Sequence, residues 1–179
     1  MNATVFLVDT LFNLYLMIVI LRLWLQMVQA DFYNPMSQFI VKATHPIVGP
    51  LRRIIPSIGR FDTATFVLAI AVCALKIITL ILISGGNLNP IGIAIMSVMG
   101  VIKETLSLMF WVLLLRAILS WVSQGQSPID YVLHQLTEPF LAPIRKIIPP
   151  LGGLDLSVLI AIIGLQFLQL LIQDALRVL

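Results

Sequence analysis

Four stretches of this chain are long and apolar enough to cross a bilayer, which takes about 20 residues of helix: residues 3–26, 64–84, 105–122 and 156–173. Nothing else in the sequence limits the fold so tightly. The second stretch contains Lys76. A lysine at a helix centre costs about 2.5–3.5 kcal/mol on insertion, while each Leu, Ile, Val or Phe returns about 0.3–0.6 kcal/mol. The stretch holds twelve such residues, so insertion wins. Composition agrees: of 179 residues, 60% are hydrophobic and 11% charged. A soluble domain averages about 45–50% and about 25%. The expected class is an all-α membrane protein with four transmembrane helices.

The formal net charge of +3 does not point to nucleic acid, because the cations form no single aromatic-flanked stripe. They lie in loops. Lys42, Arg52, Arg53 and Arg60 separate the first two spans, and Arg145 and Lys146 separate the last two. The positive-inside rule places both loops in the cytoplasm and both termini outside. No Lys or Arg precedes the first apolar run and no small-x-small site follows it, so it reads as a retained span rather than a cleaved signal. No lipidation motif is expected at either end.

Residues 91–102 are apolar but too short to span alone. Joined to the third span they would make a helix of about 48 Å at 1.5 Å per residue. An interfacial piece, a shallow re-entrant piece and an overhanging start to the third span all fit.

Residues 35–62 match residues 128–155 at one ungapped offset. Pro35, Thr44, Pro46 and Pro50 meet Pro128, Thr137, Pro139 and Pro143. Arg52-Arg53-Ile54-Ile55-Pro56 meets Arg145-Lys146-Ile147-Ile148-Pro149, and Gly59 and Asp62 meet Gly152 and Asp155. Such a match signals duplication. Residues 1–90 and 91–179 are then two tandem units of two spans each, inserted in the same sense about an axis along the membrane normal.

Local chemistry accounts for much of the repeated pattern. Asn34-Pro35 and Ser127-Pro128 read as an N-cap followed by proline at the first helical position, with Asp130 as a capping-box acid. Apolar residues recur at 36, 39, 40 and 43, and at 129, 132, 133 and 136. That spacing predicts a short amphipathic helix in each loop. Pro46 and Pro139 are expected to end these helices. PIVGP, PFLAP and the basic segments after them would then form irregular elbows at the cytoplasmic face, with isoleucines dipping in and cations at lipid phosphates.

These paired proline–basic–proline motifs between spans resemble the YggT family, also called YlmG. The resemblance covers essentially the whole chain, and NLYLMIVILRLWLQ followed by DFYNPMSQFIVK is similar to gamma-proteobacterial members. It implies a bacterial inner-membrane protein with relatives in cyanobacteria and chloroplasts. Family members are associated with osmotic or ion homeostasis, with the cell-division and envelope gene neighbourhood, and in chloroplasts with haem attachment. No shared catalytic mechanism is implied.

The candidate residues fall into groups. Arg52, Arg53, Arg145 and Lys146 read as topology anchors, or as a docking surface for a cytoplasmic or membrane protein or for anionic lipid headgroups, where each cation gains about 1 kcal/mol. Asp62 and Asp155 read as N-caps of the second and fourth spans, with ion pairs to the preceding arginines as a compatible alternative. Asp9 and Lys76 are expected to pair, with Glu104 nearby, as a structural contact more readily than an ion path. Gln166, Gln169 and Gln173 are expected to hydrogen-bond across helices. Arg22 and Arg116 are expected to snorkel.

Cys73, the single cysteine, reads as an inert buried thiol. His45 and His134 are not equivalent in the repeat and carry no haem or metal spacing, so no cofactor is expected. No nucleophile–base pair, phosphate loop or dinucleotide fingerprint appears, so no enzyme activity is expected either. Two functions remain open. One is a non-enzymatic scaffold or assembly factor. The other is an ion or solute pathway lined by Asp9, Lys76, Gln166 or Gln169, which needs a homo-oligomer because four spans are few for a transporter.

Overall fold

The computed structural model describes residues 2–122, 127–148 and 156–178. It contains α1 (Ala3–Met27), α2 (Pro35–Ile54), α3 (Thr63–Ser84), α4 (Pro90–Val122), α5 (Pro128–Ile147) and α6 (Leu156–Val178). Among the described residues there is no strand beyond an isolated bridge between Ile58 and Phe61.

Helices α1, α3, α4 and α6 are long and apolar enough to cross a membrane. Only 17–22% of their most apolar windows is buried within the protein. The remaining apolar surface faces outward, which is stable only against lipid. This is the architecture of a multi-pass membrane protein.

Helix α1 packs along α3, α3 along α4, and α4 along α6. Helix α2 rests on α1 and α3, α5 rests on α4 and α6, and α2 and α5 touch each other. Leu16, Ile20 and Leu25 of α1, Val72 of α3, Val112 of α4 and Leu136 of α5 belong to one buried cluster. The edge of the Trp24 ring meets Phe140 at a centroid distance of 6.0 Å, tying α1 to α5.

Side-chain caps set where α2, α4 and α5 start. Asn34 Oδ1 accepts from Met36 N at 3.0 Å ahead of Pro35. Ser127 Oγ accepts from Asp130 N at 3.1 Å, and Asp130 accepts in return from Ser127 N at 3.2 Å. Asn89 Oδ1 does the same for Ile91 N and Gly92 N, with Pro90 leading α4. At the far end of α3, Gly85 takes φ 70° and Gly86 N returns to Ile81 O, which closes the last turn.

Two expectations about backbone are corrected. Pro46 and Pro139 do not end their helices, and PIVGP and PFLAP are not irregular: α2 runs through Pro46 and Pro50, and α5 through Pro139 and Pro143. Each proline removes one backbone donor. The four-residue spacing puts both losses of each helix on one face, and all four prolines are exposed. The opposite face stays buried through Thr44 and Val48, and through Thr137 and Leu141. Packing on that face holds each helix past its prolines until the next one, Pro56 in the first half. Of the three arrangements open to residues 91–102, the structure has the overhanging start to the third span. These residues form the first turns of α4, one helix of 33 residues. The segment has a packing role: a Cβ on Gly100 would lie 2.6 Å from Cys73 Sγ, so α3 and α4 meet closely there and a larger residue would force that side chain to shift.

Candidate functional site

The polar chemistry concentrates where α1 and α4 end and α2 and α5 lie across them. In the first half Arg22 is buried, at 3% exposure. Its Nη1 donates to Thr44 Oγ1 at 2.6 Å and to Val41 O at 3.2 Å. Thr44 Oγ1 in turn donates to Ile40 O at 2.7 Å. In the second half Arg116 Nη1 donates to Thr137 Oγ1, and Thr137 Oγ1 to Leu133 O at 2.7 Å. The expectation that Arg22 and Arg116 snorkel is therefore corrected. Both guanidinium groups turn inward, because a threonine hydroxyl on the facing helix supplies an acceptor that lipid does not.

The two sites differ in charge. Arg116 also reaches Glu138 Oε2 at 3.3 Å, and Arg145 Nη1 lies 2.9 Å from both oxygens of the same carboxylate. At the position matching Glu138 the first half has His45, which is exposed. Among the described residues Arg22 hydrogen-bonds to hydroxyl and carbonyl oxygens alone.

Asp62 fixes the junction of α1, α2 and α3. It is fully buried, N-caps α3 through Thr65 N and accepts from Thr65 Oγ1. Arg52 Nη2 pairs with it at 2.5 Å and also donates to Gln26 at the end of α1. Burial alone would raise the Asp62 pKa, but the hydrogen bonds from Arg52 and Thr65 outweigh it and hold the carboxyl below its ordinary value. Ahead of Asp62 the chain reverses over Ile58–Phe61, with mutual backbone bonds of 3.0 Å. Gly59 sits there at φ 60°, a conformation costly for other residues. Pro56 O accepts from Thr63 Oγ1 at 2.5 Å. Pro149, Gly152 and Asp155 lie outside the described residues.

Arg53 and Lys146 are exposed and, among the described residues, form no ion pair. A cavity of about 690 Å³ opens beside Arg52 and is lined by Arg22, Lys42, Arg60 and three glutamines among others.

The expected intramembrane cluster divides. Lys76 Nζ lies 3.5 Å from Asp9 and donates to Asn13 Oδ1 at 2.7 Å, while Asn13 donates to Asp9 at 3.1 Å. Glu104 lines a neighbouring cavity of about 300 Å³ with Thr10, Asn13 and Ser107. Gln166 and Gln169 are not part of this chain of contacts, because α6 packs on α4 and α5 rather than on α1 or α3. Gln166 and Gln173 are exposed, the Gln169 amide nitrogen is buried without a partner among the described residues, and none of the three makes the expected interhelical bond to a described residue. Cys73 is buried. Among the described residues no group of three or more His, Cys, Asp or Glu could hold a metal.

The family model for CCB3/YggT matches residues 1–83 and 95–176. This chain belongs to the CCB3/YggT family. A Vibrio alginolyticus protein named "Uncharacterized protein in proC 3'region" is 60% identical over 176 residues, covering 97% of this chain and 95% of that one. The YggT protein of Escherichia coli K12 is 45% identical over 177 residues, covering 99% and 93%. The chloroplast protein CCB3 of Arabidopsis thaliana, whose name assigns it to cofactor assembly of complex C, is 38% identical over 79 residues, covering 42% and 43%. No solved structure matches.

Thr44 and Thr137 match in the repeat, but the sequence alone assigns no role to them or to Glu138. A signal for them existed. Arg22 aligns with Arg116 at an offset of 94, whereas the loop motifs align at 93. One residue fewer between the span and Pro128 conceals the equivalence of this YggT-family chain's two arginines.

Proposed function

We propose that this chain is a non-enzymatic scaffold or assembly factor of the bacterial inner membrane, built from two like-oriented tandem units. Its basic ends face the cytoplasm and both termini face the periplasm. The exposed cations Arg53 and Lys146 dock a membrane or cytoplasmic protein.

One observation carries this reading. The basic ends of α2 and α5 are held at the same end of the spans, Arg52 against Gln26 at the close of α1, and Arg145 on the Glu138 that also holds Arg116 near the close of α4. In each pair one cation is tied down within the protein, and the other, Arg53 or Lys146, stays outward. Topology anchoring needs the charges but not this division. The assembly role named for the chloroplast relative supports the same reading. The test is affinity isolation from native membranes, comparing the wild type with the Arg53→Gln/Lys146→Gln variant. A partner recovered reproducibly by the wild type and lost by the variant is the expected result. Identical recoveries would sink the docking surface.

A second reading, an ion or solute pathway in an oligomer, is favoured by the cavity of about 300 Å³ beside the Asp9–Asn13–Lys76 chain. It requires cation flux into liposomes that Lys76→Ala abolishes.

A further inference from the structure

The cavity of about 690 Å³ between α1, α2 and the α2–α3 connection gathers four cations, Arg22, Lys42, Arg52 and Arg60, with Gln29 and Gln38 beside them. The carboxylate in contact with this group is Asp62, and it is committed to Arg52 and the α3 cap. Lys42 and Arg60 form no ion pair among the described residues. Arg22 is buried, yet the described residues engage only its Nη1 and offer no acceptor to Nε or Nη2. A buried guanidinium is strongly stabilised by an oxyanion, which its donor fork fits two bonds at a time. Such a group lining a basic cavity is the chemistry of phosphate recognition.

The sequence of the second half carries a different set of residues. At the matching positions Lys42 becomes Gln135 and Arg60 becomes Gly153, while His45 becomes Glu138. Glu138 satisfies both Arg116 and Arg145 internally. The duplicated frame thus carries a resident carboxylate in one half and an open, cation-rich cavity in the other.

We propose that the first-half cavity is a binding site for a phosphate-bearing anion, and that the second half has no counterpart. The inference does not depend on the docking surface, which uses Arg53 and Lys146 outside the cavity. A lipid headgroup and a soluble phosphate share the recognising chemistry. The placement of the cavity at the polar end of α1 suits a headgroup, because cations beside the end of a span attract anionic lipid.

The test measures equilibrium binding to the delipidated full chain in neutral detergent. The probes are inorganic phosphate, short-chain phosphatidylglycerol and short-chain phosphatidylcholine. The Lys42→Gln/Arg60→Gln variant removes two cavity charges, and Arg53→Gln/Lys146→Gln removes two charges outside it. All four positions are exposed, and helical content by circular dichroism checks that both variants are folded. Phosphatidylglycerol binding that falls at least about ten-fold in the cavity variant and less than about two-fold in the outer variant supports the site with a headgroup occupant. The same pattern with inorganic phosphate supports it with a soluble occupant. Equal losses in the two variants would reduce the effect to diffuse surface charge and overturn the proposal, as would no binding of any probe. Because no partner protein is present, failure here leaves the docking surface standing, and failure of the affinity isolation leaves the cavity standing.

Discussion

The α1–α2 and α4–α5 junctions solve one problem in two ways. Each brings an arginine into the protein and gives it a threonine hydroxyl from the facing helix. The second half adds Glu138, so that two arginines share a carboxylate with no external help. The first half omits it, and its one buried carboxylate, Asp62, serves the α2–α3 corner instead. The difference teaches that two junctions can share a mechanical link, an arginine on a threonine hydroxyl, while the charges around it differ, with His45 standing in one where Glu138 stands in the other.

The largest expected effect lies at Asp62. Asp62→Ala removes an N-cap and strands Arg52, and should cost about 3–4 kcal/mol, less what solvent recovers at the partly exposed guanidinium. Heat unfolding in detergent measures it, and a loss below about 1 kcal/mol would show that the corner is held by packing alone. The same group sets a pH dependence. Its folded pKa is depressed, so its stabilisation is present above the unfolded value of about 3.9 and fades as pH falls through the folded value. The wild type should lose this increment on acidification, whereas Asp62→Asn should not.

Glu138→Gln comes next. It should cost about 2 kcal/mol, reduced from a fully buried case because the carboxylate is 36% exposed. It also converts the second half toward the first. If the comparison is right, this variant gains phosphate affinity at the second junction, seen as a second binding event by calorimetry.

A smaller effect compares the threonines directly. Thr44→Val removes a side-chain oxygen from an arginine that has no carboxylate, at about 1.5–2 kcal/mol, while Thr137→Val leaves Arg116 on Glu138 and should cost about 1 kcal/mol. Equal losses would mean that Glu138 does not relieve Arg116. The smallest change in stability is expected for His45→Glu, a gain within about 1 kcal/mol. Its informative readout is ligand binding: a carboxylate beside Arg22 and Arg52 should compete with phosphate and weaken it.

The spans were legible because lipid exposure is written into composition, and α1, α3 and α6 begin and end within a few residues of their hydropathy limits. The course of α2 and α5 was not. Read locally, Pro46 and Pro139 are stops, and only the tertiary contact of Thr44, Val48, Thr137 and Leu141 shows why they are passed. The glutamines of α6 failed for another reason. A helix apolar on every side does not announce which face meets its neighbours, so Gln166 and Gln173 could be placed on either. Arg22 and Arg116 were visible as charges, but the partners that turn them inward lie about twenty residues away, across a turn whose length differs by one between the halves.

The length of α4 limits how the molecule can sit. At 1.5 Å per residue its 33 residues extend about 50 Å, and fitting them into about 30 Å of hydrocarbon would need a lean of more than about 50°. Membrane helices lean by up to about 40°, which accommodates roughly 26 residues and leaves about two turns over. The Pro90 end, opposite the basic face, suits those turns, because Ile91, Ile95 and Met96 are exposed there. Set there, they would float their apolar side chains among the headgroups of the far leaflet, and the protein would grip the two surfaces of the bilayer by unlike means, with charge on one side and grease on the other.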